Sequence, residues 1–125
     1  MSDGPVVRRG DVWLVALDPA GTSAEARTPA CVIVQRDVAN DVIPTTIVVP
    51  IADALDRKRS VVRPRFAAGT GGLAKASVAL CNEVRIVERR RLRLRLGTLD
   101  AAALRDVERG LIEMLDLADA RGAGA

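Results

Sequence analysis

From Gly10 onward the apolar positions fall into short blocks separated by polar, proline or glycine breaks, the rhythm of a mainly β chain. Asp11-Val12-Trp13-Leu14-Val15-Ala16-Leu17 is apolar and β-rich and is stopped by Asp18-Pro19, which predicts a first strand. Residues 20–28 are small and polar with one glycine and predict an open loop. Pro29 then leads into Ala30-Cys31-Val32-Ile33-Val34-Gln35, a continuous apolar run suited to a buried strand. Asn, Asp and Pro between Asp37 and Pro44 predict a turn. Thr45-Thr46-Ile47-Val48-Val49-Pro50-Ile51 is a third β-branched run.

Residues 52–60 are charged and read as a short helical turn or a loop. Residues 61–66 read as an edge strand, because Pro64 has no place in a central one. Gly69-Thr70-Gly71-Gly72 reads as a flexible connection, and residues 77–87 as one further strand. Arg91-Leu92-Arg93-Leu94-Arg95-Leu96 alternates strictly, so the leucines are expected inward and the arginines along one exposed face. Asp100 suits the N-cap of a C-terminal helix whose Leu104, Val107, Leu111 and Met114/Leu115 recur at helical spacing. Gly110 costs that helix about 1 kcal/mol relative to alanine, so packing is expected to support it. The expectation is a single α+β, mainly β domain over residues 1–125, a barrel-like sheet closed by the helix. Residues 1–8 form a loose lead-in and 121–125 a frayed tail.

Composition narrows the chemistry. At 125 residues, 49% hydrophobic and 28% charged, the chain has ordinary globular composition. No apolar run reaches the ~18–20 residues of a membrane span, and residues 1–10 lack the apolar core of a signal peptide. A cytoplasmic address is therefore expected. The chain has no histidine, which removes the usual general acid/base, the commonest zinc ligand and every Ser-His or Cys-His relay. Cys31 and Cys81 are far apart and set in apolar surroundings, so they read as reduced core residues. Net charge is only +3, but Arg85, Arg89, Arg90, Arg91, Arg93 and Arg95 are opposed in their segment by Glu88 alone. Such a cluster suits phosphates; its alternative is a plain solvated face.

An ordered series of short motifs runs through these elements. Arg9-Gly10-Asp11-Val12-Trp13 opens the first strand and Leu17-Asp18-Pro19 ends it. Pro29 precedes the run ending in Gln35-Arg36-Asp37 and Asn40, and Pro44-Thr45-Thr46-Ile47-Val48 starts the third strand. Ser77-Val78-Ala79-Leu80-Cys81-Asn82-Glu83-Val84-Arg85 follows, then Arg91-Leu92, Leu96-Gly97 and Leu99-Asp100. This series resembles the MazF/PemK family of toxin endoribonucleases over roughly residues 8–117.

The resemblance implies an SH3-like barrel of the CcdB/MazF type with a C-terminal helix, assembled as a homodimer. It implies metal-independent, cofactor-free cleavage of single-stranded RNA at short sequences, leaving 2′,3′-cyclic phosphate and 5′-hydroxyl ends. A cognate MazE-type antitoxin would block the RNA groove. Such cleavage needs charge stabilisation on the phosphorane, a task for an arginine, whose pKa above about 12 makes it a poor base. A threonine hydroxyl can donate to a phosphate oxygen and fix its orientation.

By the resemblance, Thr45 after Pro44 takes the place of the family's catalytic threonine, with Thr46 as fallback. The family's catalytic arginine stands immediately before the proline of the second strand. Here Thr28 holds that place, Arg27 lies one residue earlier, and the run after Pro29 is one residue longer than usual. A small bulge would return Arg27 to the site; otherwise it is a solvated loop arginine or marks a weakened enzyme. Glu25 would act as base or orient Arg27. Asn82, Glu83 and Arg85 would read base edges, or else hydrogen-bond at a strand end. Trp13 is core or a stacking surface, and Asp18 joins the RNA-facing set. Two other readings remain: a non-catalytic RNA-binding module on the same fold, and a CcdB-type gyrase poison. The latter depends on a tryptophan near the C-terminus, whereas here the only one is Trp13.

Overall fold

The apolar blocks become strands, and one of them organises the rest. The structure, a computed structural model, describes residues 4–17, 28–55 and 58–118. Its strands are β1 (Asp11–Val15), β2 (Ala30–Ile33), β3 (Thr45–Asp53), β4 (Arg65–Phe66), β5 (Ser77–Ala79), β6 (Arg85–Glu88) and β7 (Leu92–Thr98). A short helix, α1 (Asp37–Asn40), occupies the turn expected between the second and third strands, and α2 (Ala101–Leu115) follows β7. The antiparallel order is β4-β5-β3-β2-β1-β7, with β6 also on β3. The sheet is open among the described residues, since its end strands β4 and β7 do not pair. β4 is only two residues long and follows Pro64, which has no N–H for a ladder.

β3 carries the corner of the sheet. Its first half pairs with β6 (Thr45 opposite Glu88, Val48 opposite Arg85), and its second half with β5 (Ile51 opposite Ala79). Pro50 lies between the two. Its carbonyl accepts from Leu80 N at 2.8 Å, so its missing N–H faces the same side, into the gap where β6 gives way to β5. A proline is tolerated in this long strand because no ladder bond is required there. The same corner splits the strand expected over residues 77–87. A 3-10 turn at Cys81–Glu83 moves the chain from one half of β3 to the other.

β1, β2 and β3 are buried on both faces, which is why they read as unbroken apolar runs. Val12, Val32 and Val49 face α2, meeting Ala103 and Val107. Trp13, Cys31, Ile33 and Val48 face the other way, under Val7, Val87 and Leu92. Val7 is 1% exposed, so the lead-in is anchored there rather than loose. Asp100 caps α2 as expected, accepting from Ala103 N at 2.8 Å. Leu111 still packs against the core, but beyond it the apolar stripe runs off, and Met114 and Leu115 are exposed.

The basic stripe departs from its pattern. β7 is bulged against β1 between Val12 and Trp13 and again between Leu14 and Val15. The alternation is lost, and Leu94 stands exposed between Arg93 and Arg95. Arg89 is buried in a 3-10 turn, its N–H bonded to Pro44 O at 2.9 Å and its backbone against Gly4.

Gly110 sits where α2 crosses the rest of the chain, and a Cβ there would lie 2.6 Å from Cys81 Sγ and 2.9 Å from Val61 O. Helix propensity alone says that Gly110→Ala gains about 1 kcal/mol. We expect the opposite sign, a loss of about 1–3 kcal/mol from overpacking. Urea unfolding midpoints decide between the two, and a variant more stable than wild type would refute the close approach.

Candidate functional site

Leu17, Thr45, Arg85, Val87, Glu88 and Arg91 line an open groove of about 380 Å³, with exposed Ile86 at its side. Thr45 is half-buried at the head of β3 and faces Glu88 across the ladder. Its position is fixed from below by a buried polar network. Gln35 Nε2 donates to Thr45 O at 2.9 Å and to Asn40 Oδ1 at 2.9 Å. Asn40 Nδ2 returns a bond to Gln35 O at 3.0 Å, and Thr46 Oγ1 donates to Asn40 Oδ1 at 2.8 Å. Asn40 is 1% exposed and Thr46 0%, so the bonds that join Asn40 to Gln35 and Thr46 are made where water cannot replace them. The sequence flagged Gln35 and Asn40 only as motif positions; the fold gives them the role of holding the turn into β3.

The groove is basic but not uniformly so. Glu88 lies 3.0 Å from Arg90 Nε and 3.6 Å from Arg91 Nε. The Arg90 guanidinium beside it, with Arg91 adding, holds its carboxyl below the usual range. Glu88 is therefore an ionised acceptor and a weakened base. Arg85, and Arg91 beyond its share in Glu88, are the groove cations that would meet an anionic ligand. Of the other basic-segment residues, Arg93 bonds Arg90 O at 2.7 Å, while Arg95 bonds Thr98 and lies 3.5 Å from Asp11.

Thr45 and Arg85 are thus brought together, and other sequence-selected residues are not. Thr46 points into the core and holds Asn40, so its hydroxyl is unavailable to a ligand. Trp13 is 8% exposed within the cluster of Cys31, Ile33 and Val48, which gives its ring a packing role rather than a stacking one. Its Nε1 has no partner among the described residues. Asn82 and Glu83 are exposed in the 3-10 turn before β6 and do not line the groove. Asp18, Glu25 and Arg27 lie outside the described residues. The chain leaves for that segment at Leu17, on the groove, and the returning Pro29 O accepts from Val15 N at 3.0 Å.

Neither cysteine is suited to nucleophilic work. Burial pushes the Cys31 thiol up to about 12, against a partial pull downward from Arg85, and that of Cys81 to about 11. Among the described residues no group of three or more Cys, Asp and Glu is placed to hold a metal ion, and no helix is long and apolar enough to cross a membrane.

An antiparallel sheet backed by a C-terminal helix is the fold of solved MazF toxins. Mycobacterium tuberculosis toxin MazF-mt6 shares it at a TM-score of 0.72 and 17% identity, covering 87% of this chain and 99% of that one. Deinococcus radiodurans MazF shares it at 0.69 and 21%, covering 90% and 98%. In sequence, the Staphylococcus epidermidis protein named Endoribonuclease MazF is 30% identical over 106 residues, 85% of this chain and 88% of that protein. The chain belongs to the family described as PemK-like, MazF-like toxin of type II toxin-antitoxin system, whose model matches residues 8–115.

Proposed function

We propose that this toxin is a sequence-specific endoribonuclease that cuts single-stranded RNA without a metal. The observation that carries the reading is the groove, where a half-buried threonine, fixed by the Gln35–Asn40 network, stands beside Arg85 and Arg91 in a member of this family. The ribose 2′-oxygen attacks the adjacent phosphorus, and the P–O5′ bond breaks. The products are a 2′,3′-cyclic phosphate and a 5′-hydroxyl. Thr45 donates to a non-bridging oxygen, and Arg27 supplies the charge that stabilises the phosphorane. The 2′-hydroxyl proton goes to Glu25, or to water where Glu25 instead orients Arg27, and the departing 5′-oxygen takes a proton from water. Arg85 and Arg91 hold the strand through its phosphates. Glu88 is a poor alternative base, because its arginine neighbours favour the ionised form.

The chain acts in the cytoplasm as a homodimer, and a cognate MazE-type antitoxin blocks the groove. A related mycobacterial endoribonuclease has been solved with its cognate antitoxin, and Deinococcus radiodurans MazF with MazE, which supports the partnership. The test is incubation of purified protein with a long mixed-sequence single-stranded RNA in excess EDTA, followed by mapping of the new ends. Discrete cuts with 5′-hydroxyl and cyclic-phosphate ends are expected. Cutting that EDTA abolishes would overturn the metal-free mechanism, and salt-sensitive binding without cutting would favour a non-catalytic RNA-binding module.

A further inference from the structure

A second concave site lies where the segment before β4 meets α2. Arg59, Val61, Pro64 and Arg65 line it from one side and Asp106 and Arg109 from the helix, enclosing about 280 Å³. It shares no residue with the groove at Thr45. The walls are held in place. Arg63 N donates to Ser60 O at 3.0 Å, closing a tight turn, and the chain is pinned by Cys81 N to Val62 O at 3.2 Å and Ala79 N to Pro64 O at 3.0 Å. Gly110 allows Val61 O to approach α2 without a Cβ between them.

The charge in this pocket is unbalanced. Among the described residues Arg59 and Arg65 have no ion pair, and Asp106 is the one carboxylate in the lining. Arg109 lies 3.3 Å from Asp106, a largely exposed pair that solvent screens. Three guanidiniums against one carboxylate in a shaped cavity make a site for a singly charged oxyanion.

We propose that this pocket is a second anion site that grips a phosphodiester of the RNA strand outside the Thr45 groove. The inference rests on the ribonuclease reading and extends it to a footprint longer than the cut sequence. The lining favours RNA over an acidic peptide. Asp106 opposes a peptide carboxylate and a phosphodiester alike, but RNA carries beside each phosphate a 2′-hydroxyl that can donate to Asp106. Val61 and Pro64 supply the apolar wall a ribose edge packs against.

The test uses two RNAs built around the mapped cut site, each with a 2′-deoxy nucleotide there so that neither is cleaved. One spans only the recognised sequence; the other is extended on both sides. Fluorescence anisotropy at several salt concentrations gives Kd for wild type and for the double variant Arg65→Gln/Arg109→Gln, whose altered side chains are exposed. Wild type is expected to bind the long RNA about tenfold tighter than the short one, a gap of about 1.4 kcal/mol. The double variant should lose that gain, with a salt slope shallower by about 0.7 per phosphate contact removed, and keep its affinity for the short RNA.

A variant that matches wild type on the long RNA would overturn the proposal, and so would one that weakens both RNAs equally. Unchanged RNA binding with weakened antitoxin binding would assign the pocket to a protein partner, and unchanged length dependence with loss of mononucleotide binding would assign it to a free nucleotide; either sinks the proposal. If wild type binds neither RNA, the ribonuclease reading itself fails and this site falls with it.

Discussion

Thr45→Val is expected to cut RNA about 10²-fold more slowly than wild type or worse, with an unchanged melting midpoint. Valine keeps the shape and β-branching of the half-buried threonine, so β3 and its pairing with Glu88 persist. What disappears is the hydroxyl that the proposed mechanism uses as donor to the phosphate. The neighbouring substitution separates chemistry from folding. Thr46→Val removes the 2.8 Å bond to Asn40 inside the buried network, which costs about 1–2 kcal/mol of stability. The folded fraction of that variant should still cut, because Thr46 does not reach the groove. In the same assay Arg27→Ala should match Thr45→Val in its loss. Unimpaired cleavage by Arg27→Ala would move phosphorane stabilisation to Arg85 or Arg91, the arginines that line the groove. Reversal of the pattern, with Thr46→Val inactive yet stable and Thr45→Val active, would remove Thr45 from the mechanism.

Gly72→Ala is expected to be the most damaging alanine substitution among the described glycines. Gly72 has φ +82°, a backbone state that L side chains rarely adopt, and its Cβ would lie 2.1 Å from Leu96 O and 2.7 Å from Leu96 C. Neither contact can be relieved by turning a side chain, because both atoms belong to the backbone of β7. From the other side, a Cβ on Gly97 would lie 2.7 Å from Gly71 O. The segment at Thr70–Gly72 is thus laid directly on β7, and the glycines are there for close approach rather than for flexibility. The combined strain and overlap should cost about 3–5 kcal/mol, a large part of the 5–15 kcal/mol that holds a typical domain together. Thermal or urea unfolding reads this directly. A Gly72→Ala protein as stable as wild type would mean that the two backbones do not touch.

Strand existence and type were readable because β-branched runs bounded by Pro, Asp and Gly leave few alternatives. The runs at Asp11, Ala30 and Thr45 became β1, β2 and β3, and Asp100 capped α2. Reading failed where one element's state depends on a distant one. Nothing local in residues 77–87 tells of a break, which exists because β3 changes partners at Pro50. Nothing local in Arg91–Leu96 reveals the bulges imposed by β1 that expose Leu94. The same limit applied to the site. Thr45 and Thr46 are adjacent β-branched residues, equivalent by propensity, yet one lines a groove and the other is sealed in the core. Only the placement of Asn40 beneath the strand decides between them.

By itself, then, the sequence determined the mainly β class, the capped C-terminal helix, the family and the exclusion of a histidine-based chemistry, since composition and short-range order are local properties. Tertiary structure alone decided which arginines are left facing the groove, which glycines are contacts, and that Arg59, Arg65 and Arg109 share one pocket. Those facts depend on which segments, far apart along the chain, pack side by side, and no window of sequence contains that information.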